Sequence, residues 1–177
     1  VTKYRRLYWL GTLLFLSGCQ VEFAAWLAGE WQDACPSAEH TQVDILLKIN
    51  QFRQTSRTCG GEVFATATEL QWHTALAQAS QLHADDMAKF DFVSHRGSDG
   101  SSPELRLQWA GYTAKNSNEL LAKDFSTTAE VMTYWQTDAS VCATLMNPAL
   151  QHVGAACNAA WNSGSSRAYW ALLLAAR

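Results

Sequence analysis

The chain predicts a mixed α and β domain, with helices first and strands last. Three observations support this. Four segments between Val43 and Asp138 carry apolar residues at helical spacing or helix caps. After Pro148 the pattern changes to short apolar runs around a Trp161-Asn162-Ser163-Gly164-Ser165-Ser166 turn. Four cysteines within the domain provide two staples.

The first helix reads from Val43 to Gln54, with Val43, Leu46, Leu47, Asn50 and Arg53 on one face. Asn50 and Arg53 are expected to tie it to loops. The second runs Thr74 to Phe90, with Leu76, Ala79, His83, Met87 and Phe90 on one stripe. His83 there reads as a satisfied core histidine, and Asp85 and Asp86 are adjacent, so they point apart. Ser101 or Ser102 can cap the third helix. Pro103 suits its first turn, Glu104 completes S-x-x-E, and Gly111 stops it. A fourth starts at Thr127 with Glu130 three residues on, and places Val131, Tyr134, Trp135 and Asp138 along one face. Strands are expected at His152–Cys157 and Ala168–Leu174. Trp72, Trp109, Trp135 and Trp170 read as core, and Trp161 as exposed.

The N-terminus sets the expected compartment. Lys3, Arg5 and Arg6 precede an apolar run, Leu7 to Leu16, of signal-peptide length and too short to span a bilayer as a helix. The run ends in Leu16-Ser17-Gly18-Cys19, which resembles a bacterial lipobox. Residues 1–18 are therefore expected to be a lipoprotein signal peptide, with Cys19 acylated and residues 19–34 a tether. An ordinary secretory signal or a buried N-terminal helix is the plainer alternative. Gln20 in place of Asp after the cysteine gives the outer membrane as the address in a double-membraned bacterium. The expected location is thus the cell envelope, on the periplasmic or extracellular face.

Cleavage before Cys19 would remove three of the 13 basic residues and none of the 16 acidic ones, leaving 10 against 16 and a formal charge of −6. An acidic chain without a basic stripe excludes nucleic acid as a partner. It also excludes electrostatic docking on anionic lipid, so the acyl anchor would carry membrane attachment. Cys35, Cys59, Cys142 and Cys157 read as two disulfides in an oxidising compartment, with three possible pairings. The two local pairs, Cys35–Cys59 and Cys142–Cys157, are expected. No CxxC spacing supports zinc.

These segments resemble the bacterial branch of the CAP superfamily (cysteine-rich secretory proteins, antigen 5, pathogenesis-related 1). The likeness is carried by LLKINQFRQTSRTCGG at 46–61, the LQW and LAQASQLHADDMA stretches within 70–88, SHRGSDGSSPELRLQWAGY at 94–112, and Glu119. It continues in VMTYWQTDASVCATLMNPALQHVGAAC at 131–157 and YWALLLAA at 169–176. The resemblance implies that residues 35–177 form a three-layer α–β–α sandwich with a central, mainly antiparallel sheet.

The resemblance also implies a cleft with two histidines and two acids. His95 matches the first histidine and Glu119 the first acid, although Leu120 stands where an asparagine is common. Asp138 stands at the second acid, where bacterial relatives often carry serine. The second histidine should precede Cys142, but Val141 is there. That departure weakens a divalent-metal site, because one imidazole and up to two carboxylates make a poor zinc shell.

A carboxylate beside His95 could orient it as a base, and Ser94, Ser98, Ser101 and Ser102 offer hydroxyls, so a hydrolase using His95 and Glu119 is one reading. With one histidine absent, a ligand-holding role outweighs catalysis. A lipid-anchored binding module for a small apolar, glycan or peptide ligand, without a cofactor, is the favoured function. A vestigial cleft is the third alternative.

Overall fold

A computed structural model describes residues 34–162 and 165–177; side chains of residues 161 and 162 are outside that description. The expectations for the signal peptide, Cys19, the tether up to residue 33 and the Trp161 side chain therefore lie outside the described residues. Helices α1 (Ala38–Arg53), α2 (Thr74–Phe90), α3 (Pro103–Trp109), α4 (Thr128–Thr137) and α5 (Ala139–Met146) surround six strands. These are β1 (Arg57–Cys59), β2 (Glu62–Phe64), β3 (Gln71–Trp72), β4 (Asn116–Lys123), β5 (His152–Asn162) and β6 (Ser165–Ala176).

β1 and β2 form a small hairpin. The main sheet has the order β3-β5-β6-β4, with only β3–β5 parallel. β6 explains the layering. In an extended strand alternate side chains point to opposite faces. Trp170, Leu172 and Leu174 pack with Ile45, Ile49, Val131, Trp135 and Leu145 from α1, α4 and α5. Leu173 and Ala175 pack with Leu76 and Ala79 of α2 and Leu107 of α3. Tyr169 and Ala171 meet Ala84 and Met87 of α2. Both faces of β6 are covered, which is why Tyr169–Ala176 is an unbroken apolar run. The domain is a mixed α and β sandwich with a mainly antiparallel sheet.

Helix ends follow their caps. Ser37 accepts from the His40 N–H and caps α1, which begins at Ala38, ahead of the expected start at Val43. Thr127 and Glu130 complete a reciprocal capping box on α4. On α3 the cap is Ser102, not Ser101, so the S-x-x-E register shifts by one. Asp138 ends α4 and caps a separate helix, α5, which the sequence pattern did not separate from α4.

α1 carries two competing stripes. The buried one is Thr41, Ile45, Ile49 and Phe52, whereas Val43 and Leu47 of the expected face are exposed. The Ile45 stripe continues over more turns, so burying it removes more apolar surface from water. Phe90 and Trp109 are likewise exposed, contrary to expectation, while Trp135 and Trp170 are buried and Trp72 is partly so. Asn50 grips both the N–H (2.8 Å) and C=O (3.0 Å) of Leu70. Arg53 is wholly buried and donates to the carbonyls of Thr68, Leu145 and Asn147.

α2 lies so close to β5 that a Cβ on Gly154 would stand against Ala77 N and 2.5 Å from Leu76 C. Ser80 Oγ donates to the Gly154 carbonyl at the same contact (3.1 Å). Alanines on the buried face of α2 permit this approach.

The disulfides correct the sequence expectation. All four cysteines are bonded, but as Cys35–Cys157 and Cys59–Cys142. α1 has 16 residues between Cys35 and Cys59 and forms a rod about 24 Å long that holds its two ends apart. The chain after it turns directly into the β1–β2 hairpin instead of running back along the rod, so the start of the helix is tied to β5 and the far end to α5. The bridges span 122 and 83 residues, one nested inside the other. Cross-links over loops of that order restrict the unfolded chain by about 4–5 kcal/mol each in the chain-entropy model. Non-reducing peptide mapping is expected to recover Cys35–Cys157 and Cys59–Cys142 peptides. Recovery of the two local pairs would contradict this packing of α1.

Candidate functional site

Register places the site. Glu119 on β4 pairs with Leu173, and Leu120 with Leu172. Glu119 therefore shares the face of Leu173, toward α2 and α3, while Leu120 joins the opposite core. β4 is also an edge strand, so a groove along it is reached from both helical layers. Trp135 of α4 closes part of that edge by donating its indole N–H to the Leu121 carbonyl (3.2 Å).

Only 1% of the Glu119 side chain is exposed, so its charge requires partners. Arg106 of α3, 2% exposed, donates to Oε1 at 2.7 Å. His95 approaches Oε2 with Nδ1 at 2.9 Å. His83 Nε2 stands 3.8 Å from the same oxygen. Arg106 also donates to the His95 carbonyl (3.1 Å) and to the Ser101 carbonyl (3.0 Å) and hydroxyl (3.2 Å). One guanidinium thus fixes the Ser94–Ser102 loop and the carboxylate together.

His83, 1% exposed, lies 2.7 Å from the Ser94 carbonyl through Nε2. A carbonyl only accepts, so Nε2 carries the proton. Burial lowers the His83 pKa and Arg106 adds to this, against the pull of Glu119 and the Ser94 carbonyl. His95 differs: 65% of its side chain is exposed. Its Nδ1–H is on Glu119, and the rest of the ring is the part of this cluster open to solvent.

A cleft of about 310 Å³ brings His95, Glu119, Tyr134, Trp135, Asp138 and Val141 together. All four residues singled out from the sequence line it. Their roles differ, however. Asp138 Oδ1 takes the N–H groups of Ser140 (2.8 Å) and Val141 (3.0 Å) as the cap of α5. The Ser140 hydroxyl, then these amides, hold its pKa below the usual carboxylate range. Val141 contributes an apolar wall where the resemblance places an imidazole.

The donor set does not fit a metal. Both Glu119 oxygens are engaged by Arg106 and His95, and Asp138 serves its cap. Among the described residues no group of three or more His, Cys, Asp or Glu side chains is arranged to hold an ion. Ser98 Oγ donates to Asp86, Ser101 Oγ accepts from Arg106, and Ser102 Oγ caps α3. Ser94, which lines the cleft, accepts from the Arg96 N–H through Oγ.

Arg106 escaped the sequence reading. Its helix has seven residues, too few for a periodicity that separates a buried arginine from a solvated one. His83 was read as core; it is core, and it also meets the Ser94 loop.

Residues 46–173 match the CAP family, the cysteine-rich secretory protein family, and the chain belongs to it. Solved structures agree in fold. An outer surface protein of Borrelia burgdorferi is similar with a TM-score of 0.64 and 14% identity, over 80% of this chain and 96% of that one. A cysteine-rich secretory protein of Staphylococcus aureus gives 0.56 and 13%, over 80% of this chain and 40% of that one. An extracellular SCP-domain protein of Bacillus anthracis gives 0.54 and 16%, over 63% and 35%. The chain therefore spans less than half the length of the latter two. Comparison with curated protein sequences gives no significant match. Among the described residues no helix is long and apolar enough to cross a membrane.

The lowered pKa of His83 sets a direction for pH. The unfolded chain binds a proton near the ordinary imidazole value of about 6.5, while the folded chain resists it to lower pH. The contribution of His83 to stability is present above about pH 6.5 and is lost as pH falls below it. His73 and His152 are lowered by burial too and act in the same direction. Thermal melts are expected to show a falling midpoint between about pH 7.5 and about pH 5, with a shallower slope in His83→Gln. An unchanged slope in that variant would contradict the assignment.

Proposed function

We propose that this chain is a lipid-anchored, extracytoplasmic CAP domain whose cleft beside His95 holds a small apolar, glycan or peptide ligand without turning it over. The observation that carries this is the locking of the carboxylate. Arg106 and His95 both hold Glu119, so the acid serves to fix the Ser94–Ser102 loop as one wall of the cleft. Val141 and Tyr134 supply apolar surface opposite. The volume falls at the small end of ligand clefts, which begin at about 300 Å³. Among the described residues the His95 ring bonds Glu119 and no serine hydroxyl, which supports binding over nucleophilic catalysis. Anchoring at Cys19 and export to the cell envelope rest on the Leu16–Cys19 sequence, with the two disulfides in keeping with an oxidising compartment. Nucleic acid is no part of this reading, given the acidic mature chain.

One observation favours a hydrolase as the second reading. His95 has its Nδ1 on a buried carboxylate and the rest of its ring open to solvent, the posture of a general base. A bound water could then replace the missing serine.

Protein extracted from native envelope membranes tests both. Mass spectrometry is expected to show an acylated Cys19 and a copurifying small molecule that is lost in His95→Ala. Hydrolysis of a peptide, ester or glycan library, abolished in His95→Ala with the circular dichroism spectrum intact, would make the hydrolase reading correct. A soluble chain cleaved elsewhere would remove the anchor.

A further inference from the structure

β4 presents part of its main chain to the His95 cleft. In an antiparallel pair the N–H and C=O of one residue point to the same side of the strand, toward the partner at one residue and away at the next. Asp124, directly after β4, donates its N–H to the Ala168 carbonyl of β6 (2.8 Å), in register with the pairs before it. Ala122 and Leu120 therefore turn their main-chain groups toward β6, and Leu121 and Glu119 turn theirs away. The Leu121 carbonyl agrees, because it takes the Trp135 indole from outside the sheet (3.2 Å).

That outer side of the strand faces the cleft, which Glu119, Leu121 and Trp135 all line. The Glu119 side chain is 1% exposed, yet the residue as a whole is only half-buried. The surface that Glu119 shows to solvent is therefore its main chain. Among the described residues nothing bonds its outward N–H and C=O, or the outward N–H of Leu121. Backbone groups left open at a sheet edge are a template for another extended chain.

The walls suit the side chains of such a segment. A residue set opposite Glu119 points its side chain to the same face as Glu119, toward Ser94 and His95. Its two neighbours point the other way, as Leu120 does, toward Tyr134, Asp138 and Val141. Tyr134 is 49% exposed, so its ring is open to contact. Asp138 makes all its bonds through Oδ1, and among the described residues no lysine or arginine lines the cleft. With Glu119 paired to Arg106 and His95, Asp138 is the unpaired charge of the opposite wall and disfavours an acidic side chain there.

We propose that the ligand of the His95 cleft is an extended peptide segment that adds to the sheet beside β4, exchanging main-chain hydrogen bonds with Glu119 and Leu121. This pairing rests on the binding role proposed for that cleft and narrows its ligand to a polypeptide main chain. A glycan or a hydrocarbon lacks the alternating amide N–H and C=O that the edge can pair. The Trp135 indole on the Leu121 carbonyl limits the added strand at that end, so the pairing is short and centred on Glu119.

The test uses the whole chain, solubilised in detergent, and a random heptapeptide display library. An enriched peptide is synthesised with blocked termini, and then as a series with one main-chain N-methyl group at each position in turn. N-methylation removes a donor and obstructs the pairing edge. Affinity is expected to fall about tenfold or more at alternate central positions and to stay within about twofold at those between them. Bound peptide is also expected to slow hydrogen exchange of the Glu119 and Leu121 amides. No enrichment, N-methyl losses without alternation, or unprotected Glu119 and Leu121 amides would overturn the proposal. Self-association that protects the same amides without peptide would assign the edge to a second copy and overturn it as well. Cleavage of the bound peptide would overturn the binding reading and leave the strand pairing standing. A glycan or apolar molecule copurifying in the cleft would do the reverse.

Discussion

The cleft depends on one buried ion pair, Arg106 with Glu119. Register forces the carboxylate onto a covered face of β4, and a carboxylate there cannot stay charged without compensation. α3 meets that need, and its arginine has donors left for the loop carrying His95. The position of the exposed imidazole is thus set from beneath by the pair, through its own bond to Glu119 and through the Arg106 bond to its carbonyl. Arg53 performs a similar task elsewhere without a carboxylate: three carbonyls hold it, and it joins α1 to the loops at Thr68 and Asn147. Burial lowers its pKa.

The sandwich explains why the site is where it is. β6 is covered on both faces, so neither face of the central sheet is open to a ligand. The edge at β4 is different. There α4 and α5 reach round from one layer and the Ser94–Ser102 loop from the other, leaving a groove between them. The long-range disulfides fix the outer layer that forms one wall, since Cys142 lies in α5, next to Val141.

Much of the fold was legible because its signals are local. Pro103 and the serines before it gave the start of α3, Thr127 with Glu130 gave that of α4, and the apolar run at 169–176 gave the central strand. Features that depend on distant contacts were not legible. α1 offers two apolar stripes, and only the sheet chooses between them. β4 carries Glu119 among Asn, Ser and Leu in a pattern that no single period distinguishes. The cysteine pairing belongs with these: a helix between Cys35 and Cys59 holds its own ends apart, but only the hairpin after it and the packing on the sheet decide which cysteines meet. His95, Glu119, Asp138 and Val141 were found through motif resemblance, whereas Arg106, which organises them, has no motif to announce it.

The central claim is that Arg106 and Glu119 act as a unit that builds the wall of the His95 cleft. A double-mutant cycle in urea with Arg106→Met and Glu119→Gln tests it most directly. Each single change is predicted to cost about 3–5 kcal/mol, because it leaves its partner buried and charged. The double variant is predicted to cost less than the sum of the two singles by a coupling on the order of 2 kcal/mol or more. Costs that simply add, or single variants within about 0.5 kcal/mol of the parent, would contradict the account and leave the loop held by something else.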